Sequence, residues 1–352
     1  MKIHLIAGTN KGAFIYRSDA ERSDWTIGDP IFKGWKVSAL GRTPNGRFLA
    51  ATASDVYGPA VQVSDNLRTW RQVEASPSWN GATDRSLKQI WTFATGGDRV
   101  YAGVEDAGIF ISEDDGESWK GVPGFNDLPG REAWMPGAGG LCAHAILLHE
   151  RKPQRVFCGV SAAGVWRSDD GGKTWTPRNH GIPPVIEDRN LKDIGRCNHG
   201  LAIDPDDPDI VYRREHNGMF RSRDGGDTWE RIEHGLGSWF GFPIVIDLRS
   251  RALFAIPLES DEYRMPADGR LQVFRSLDKG DSWQSVSRGL PERNCYTGVL
   301  RGAMAVDSLD PCGVYFGTSS GAVFASNDSG ESWKQLPGVL PRIMSLAVFA
   351  EE

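Results

Sequence analysis

The chain has 352 residues, with 40 Lys and Arg against 46 Asp and Glu, a formal net charge of −6, 39% hydrophobic residues, 42 glycines and 13 tryptophans. The acidic balance argues against nucleic acid or an anionic membrane as the partner, and no apolar run approaches the length that spans a bilayer. So much glycine and tryptophan fits short strands joined by many turns, not helices.

Residues 1–8 read as a first strand, too short and too soon broken for a signal peptide, so a cytoplasmic protein is expected. The five cysteines are then expected as thiols, with metal binding or catalysis as their special roles. From residue 18 onward one frame recurs. It is clearest in Ser168-Asp169-Asp170-Gly171-Gly172-Lys173-Thr174-Trp175 and returns at 112–119, 222–229, 276–283 and 326–333. Two worn copies precede these: 64–70 is one residue short, and 18–25 has lost its glycine. The seven closing tryptophans, Trp25 to Trp333, stand 45 to 56 residues apart. A fixed period of that size means a repeat architecture.

The chemistry of the frame is that of a turn. Ser and Asp side chains bond nearby amides, Gly supplies a positive φ, and Trp is a large buried anchor. Its acidity is therefore a folding device, not a metal site. Each repeat reads as four strands; in the fifth they are predicted at 199–203, 210–213, 218–222 and 229–232. The strand-like run 344–349 is expected to complete the first repeat as its inner strand, leaving no open edge.

The octapeptide matches the Asp-box (BNR) motif of sialidase-like β-propellers. The chain resembles the bacterial WD40/YVTN/BNR-like repeat proteins along nearly its whole length, as in Tyr57-Gly58-Pro59-Ala60, Pro136-Gly137-Ala138-Gly139-Gly140-Leu141-Cys142 and Pro257-Leu258-Glu259-Ser260-Asp261-Glu262. The resemblance implies an all-β propeller and leaves the activity open; the seven boxes and the closing strand make it seven-bladed, in one domain, 1–352, whereas the six blades of true sialidases would require a worn N-terminal box to be accidental.

In such a fold the boxes share one face. The long segments 74–87, 121–141, 176–196, 258–270 and 288–300 then fall on the other, where the ligand site is expected. Aligned inner strands bring Lys88, His144 and His199 to equivalent positions, with Lys36 and Arg301 near them. The ends of second strands add Glu105, Asp106, Ser161, Glu215, His216, Glu259 and Asp261. Tyr57 joins the ligand-binding set, and Trp79, Trp134, Trp239 and Tyr263 are exposed aromatics suited to stacking on a sugar face.

The sharpest local feature is the pair Cys142-Ala143-His144 and Cys197-Asn198-His199. Residues two apart on a strand share a side, so each repeat would present a thiol and an imidazole together, with His216 joining them. Such a set suits zinc, copper or iron, with Glu105 or Glu259 as ligand or base. Cysteine as a small apolar filler, shared between repeats by descent, explains the same pattern. Three functions follow. One is a small-molecule hydrolase or lyase using His144, His199, His216, Glu105, Glu259 and Asp261, with or without a metal. A second is a non-catalytic binding or assembly module, as a resemblance to photosystem-assembly propellers implies. The third is a sialidase-like glycoside hydrolase using paired carboxylates among Glu105, Asp106, Glu259 and Asp261. For that third reading the nearest phrase to the expected Arg-Ile-Pro strand is Phe254-Ala255-Ile256-Pro257. Arg196, Arg264, Arg301 and Arg342 approach the mouth, with no three of them marked as a triad. The ligand is a small molecule or a carbohydrate in each case.

Overall fold

The computed structural model describes residues 1–79, 85–137, 139–185 and 194–351. Parts of three of the long segments, at 80–84, 138 and 186–193, lie outside the described residues. Those described form 28 strands, one short α-helix (Pro123–Asn126) and two 3-10 turns (Arg131–Ala133 and Ala267–Gly269). The architecture is all-β.

Five antiparallel four-stranded sheets start from the inner strands Lys36–Arg42, Ile90–Gly96, Ala143–Leu148, Gly200–Ile203 and Gly241–Ile246. A further eight-stranded sheet joins two such groups. One is Val299–Val306 with the three strands after it; the other is the C-terminal strand Ile343–Glu351 followed by Lys2–Thr9, Gly12–Asp19 and Thr26–Ile27. The chain's last strand pairs with its first from Lys2–Glu351 to Thr9–Ile343. The two halves of this sheet meet only at a parallel bridge between Gly302 and Ser345. Each inner strand packs on the next, and Ile343–Glu351 packs on Lys36–Arg42.

Second and third strands such as Val156–Val160, Gly164–Ser168, Val211–Glu215 and Gly218–Ser222 are buried at every residue. Neighbouring sheets cover both their faces, so their sequences lack an inside/outside alternation. The outermost strands are two residues long and mostly exposed, as at Lys120–Gly121 and Glu230–Arg231. Such short edges offer little for another chain to pair with.

The octapeptides close third strands onto fourth strands. Ser168 Oγ accepts the Gly172 N–H at 2.8 Å and donates to Asp170 Oδ1 at 2.8 Å. Asp170 also accepts the Thr174 N–H at 2.9 Å and the Thr174 hydroxyl at 2.6 Å. These donors hold the Asp170 carboxyl down at about 2, chiefly through the Thr174 hydroxyl. Gly172 stands at φ 94, a conformation only glycine takes without strain. The Trp175 indole donates to the Gly172 carbonyl at 3.0 Å, whereas Trp229, Trp283 and Trp333 reach Arg178, Ile232 and Val286 in the preceding repeat. Those three boxes therefore tie each repeat to the one before it. In the worn copies Leu67 (φ 58) and Arg22 (φ 55) hold the positive-φ position without a glycine. Leu67 is buried, and Arg22 makes an ion pair with Asp307 at 3.0 Å.

Strand registers fix which end is which. Ala143 lies across from Val160 and Val160 from Gly164, while Leu148 lies across from Val156 and Val156 from Ser168. The starts of inner strands therefore lie at the end opposite the boxes.

Candidate functional site

At that end six inner strands slip register. The residues skipped by the ladder are Ser38, Trp91, His144, the pair Phe242–Pro243, the run 300–303, and Met344. A bulge re-aims a side chain that a regular strand would send the other way. Ser38, Trp91, His144, Phe242, Arg301 and Met344 all line one cavity of about 440 Å³ between the inner strands. The bulges build this cavity.

Its polar wall is cationic. Arg264, Arg301 and Arg342 line it with His144 and Gln89, and none of its lining residues is an Asp or Glu. Arg301 is half-buried, and its enclosed Nε has no hydrogen-bond partner among the described residues. Its guanidinium lies 5.0 Å from the Phe242 ring centroid, with that of Arg264 at 5.7 Å from the same ring. Burial pulls the Arg301 pKa down from its usual value, and Arg264 adds to the fall. A ring shared by two guanidiniums offsets part of their desolvation and none of their repulsion. His144 is buried, and its Nε2–H donates to the Asn198 carbonyl at 2.7 Å. Burial, then Arg301, takes its pKa down to about 3, so the ring is neutral at ordinary pH.

Behind Phe242 lies a second cluster. The ligand atoms of Cys197, His199 and His216 stand within 4.8 Å of one another. The His199 ring is tilted against Phe242 at 4.9 Å between centroids and edge-on to His216 at 5.1 Å. His199 Nδ1 bonds the Gly241 carbonyl at 2.9 Å, and His216 Nε2 bonds Asp261 Oδ2 at 2.9 Å. Burial first, then Arg301, holds His199 well below its usual pKa.

Cys142 and His144 are not part of that cluster. The register slip after Ala143 breaks the two-residue parity that would have put them on one side. Cys142 instead turns its thiol to the Gly139 carbonyl at 3.2 Å, and burial pushes the thiol up to about 12. Ser161 donates to the Gly140 carbonyl and accepts the Cys142 N–H, so both its roles are taken by the loop.

The predicted carboxylates are spread over separate surroundings. Glu105 accepts from the Trp91 indole at 3.4 Å, Asp106 lies 3.7 Å from Lys88 Nζ, Asp261 holds His216, and Glu259 is exposed. Glu215 is buried beside Arg213 at 3.2 Å, and burial raises its pKa to about 7. Tyr57 is exposed and stacks on Trp35 at 5.8 Å. Trp134, expected as an exposed stacking surface, is instead buried: it packs on Trp166 at 5.0 Å and Phe125 at 5.9 Å beneath Arg131. A flat ring with two aromatic neighbours and a guanidinium lid gains more from the core than from solvent. Trp239 and Tyr263 are exposed. Sequence reasoning missed Trp91 and Phe242, because nothing in a strand pattern announces a bulge.

The family model described as BNR/Asp-box repeat matches residues 166–177. The chain therefore carries a BNR/Asp-box repeat at those residues. The chain is similar to the xyloglucanase Xgh74A of Acetivibrio thermocellus, at 27% identity over 81% of this chain and 35% of that protein. It spans about a third of the length of the curated relatives it matches first. Among solved structures it resembles YCF48 from Cyanidioschyzon merolae, with a TM-score of 0.54 and 13% identity over 88% of this chain and 87% of that one. An ancestral GH74 enzyme gives a TM-score of 0.56 and 16% identity over 85% and 38% of the two chains. At those identities the two structures speak for the fold alone.

Proposed function

We propose that this BNR/Asp-box repeat protein is a seven-bladed propeller hydrolase that takes a small acid-bearing ligand, a sugar acid or sugar phosphate, in its central cavity. Seven groups of four strands, the pairing of Ile343–Glu351 with Lys2–Thr9 and the order in which inner strands pack support the blade count and the closure. The similarity to proteins named xyloglucanases supports hydrolysis and a carbohydrate. Five unpaired thiols suit a reducing, cytoplasmic setting.

The observation that carries the ligand class is Arg301. A guanidinium half withdrawn from water, with its Nε enclosed and no carboxylate beside it, carries a desolvation cost that nothing around it offsets in full. An anion in the cavity would supply the missing partner through charge-assisted hydrogen bonds, and Arg264 and Arg342 would share it. His144, neutral and fixed by Asn198, would form the wall opposite. Nothing observed favours the assembly-module reading over this one. Hydrolysis by paired carboxylates has no support at this cavity, because no carboxylate lines it.

The test compares acid-bearing with neutral ligands. Uronic acids and sugar phosphates are expected to raise the melting temperature where the matching neutral sugars do not, and aryl uronides to be cleaved faster than neutral aryl glycosides. Both responses should fall at least tenfold in Arg301→Gln. An equal response to neutral sugars, or an unchanged response in that variant, overturns the reading.

A further inference from the structure

We infer that Cys197, His199 and His216 form a transition-metal site of the zinc class, lying behind the Phe242 wall of the central cavity. The inference concerns metal binding and stands apart from the hydrolytic reading.

Hydrogen bonding decides which nitrogens are available. A carbonyl oxygen only accepts, so the bond from His199 Nδ1 to the Gly241 carbonyl fixes the proton on Nδ1 and leaves the lone pair on Nε2. The Asp261 carboxylate likewise accepts the hydrogen bond of His216 Nε2–H, which keeps the proton on Nε2 and leaves the lone pair on Nδ1. That Nδ1 is buried and has no hydrogen-bond partner among the described residues. An orphaned ring acceptor is uncommon unless something else fills its place. A carboxylate or carbonyl behind each imidazole is also the outer shell that metal-ligating histidines use to set tautomer and orientation.

The third donor is the Cys197 thiol, two residues before His199. Burial pushes its pKa up and the Glu215 charge adds to the rise, while a backbone hydrogen bond from Ala162 and the charges of Arg301 and Arg213 lower it. Metal binding would displace its proton to solvent and leave a thiolate, whose charge faces those two guanidiniums. One thiolate and two neutral imidazoles make a donor set suited to zinc over calcium or magnesium, which prefer oxygen. Three protein ligands leave a tetrahedral ion one position for water or substrate. Ligand atoms within 4.8 Å of one another would close by about 1 Å to reach bond lengths of about 2.0–2.3 Å. The His216 side of the cluster is partly open, which leaves room for that movement. The His199 ring against Phe242 places the cluster directly behind the cavity wall.

The experiment is a cobalt titration of the full-length, reduced, metal-stripped protein, with zinc competition and elemental analysis. One Co²⁺ per chain is expected, with tetrahedral d–d bands and a thiolate-to-cobalt charge-transfer band that zinc erases. Cys197→Ser should abolish the charge-transfer band, and His216→Ala should weaken binding at least a hundredfold. Asp261→Asn, an exposed change that leaves the fold alone, should weaken it about tenfold by loosening the His216 tautomer. Cys142→Ser should bind as the parent does. Absence of the charge-transfer band in the parent protein, retention of it in Cys197→Ser, or its loss in Cys142→Ser would each overturn the inference.

Discussion

The two ends of the molecule are made from the same strands and treat polar groups in opposite ways. At the box end Asp170 accepts from Ser168 Oγ, the Thr174 N–H and the Thr174 hydroxyl, and the corresponding carboxylates of the other four intact boxes are bound likewise. At the cavity end the Arg301 Nε and the His216 Nδ1 have no partner among the described residues. The Ser and Asp side chains that define the boxes are spent in holding the turns. Among the bulged residues Ser38, Trp91 and His144 bond Ile90, Glu105 and Asn198, and Arg301 keeps an enclosed Nε without a partner among the described residues. Acidity in sequence therefore pointed to structure.

The comparison can be broken first where one repeat docks on the box tryptophan of the next, at the bond from the Trp333 backbone N–H to the Arg288 carbonyl. Gly289 stands at φ 94, and a Cβ there would lie 2.3 Å from the Trp333 carbonyl, which is backbone and cannot give way. Gly289→Ala is expected to lose about 3 kcal/mol of stability by strain and overlap. Denaturant unfolding measures the loss, and acid-bearing ligands should bind the remaining folded protein as before. Asp278→Ala is milder. It removes the acceptor for the Ser282 N–H at 2.9 Å and the Ser276 hydroxyl at 2.7 Å in an exposed turn, a loss of about 1 kcal/mol.

Acid should find the box end. Asp170 and Asp278 are held at about 2, and Asp114, Asp224 and Asp328 are also lowered from 3.8. A carboxyl with a depressed folded pKa stabilises above its unfolded value and loses that contribution as pH falls through the folded one. Stability should therefore hold down to about pH 4 and fall between about pH 4 and 2. Because these carboxyls are mostly exposed, each contributes modestly, and the five together should shift the melting temperature visibly. A melting temperature flat across that window would show that the boxes do not carry the acid sensitivity.

How much of this was legible depended on local chemistry. The period, the boxes and strands such as Gly218–Ser222 follow from turn residues and apolar runs, which act over a few positions. The cavity does not. A bulge shifts parity by one residue, so reading alternate positions joined Cys142 to His144, when it is Cys197, His199 and His216 that meet. Trp134 failed for a related reason: its loop folds onto Phe125 and Trp166, a contact between distant segments. Of the four arginines placed near the mouth, three line the cavity; the fourth, Arg196, bonds the Ile182 carbonyl.

The smallest expected effect is the one with the unusual sign. Replacing a buried charge that has a partner destabilises a protein, but Arg301 has Phe242 beneath it, the thiols of Cys142 and Cys197 and the charge of Arg264 near it, and no carboxylate among these neighbours. Arg301→Met keeps the length and the apolar contact while removing an ion that burial penalises. Without ligand it is expected to raise stability by about 1 kcal/mol, a melting-temperature rise of about 2 °C for a domain of this size. The same change should erase the stabilisation that acid-bearing sugars give the parent protein. Gain and loss in one variant would mean that the charge is held at a cost to the fold for the sake of a ligand. A plain loss of stability would mean that Arg301 has a structural partner after all, and the cavity would return to being a polar channel.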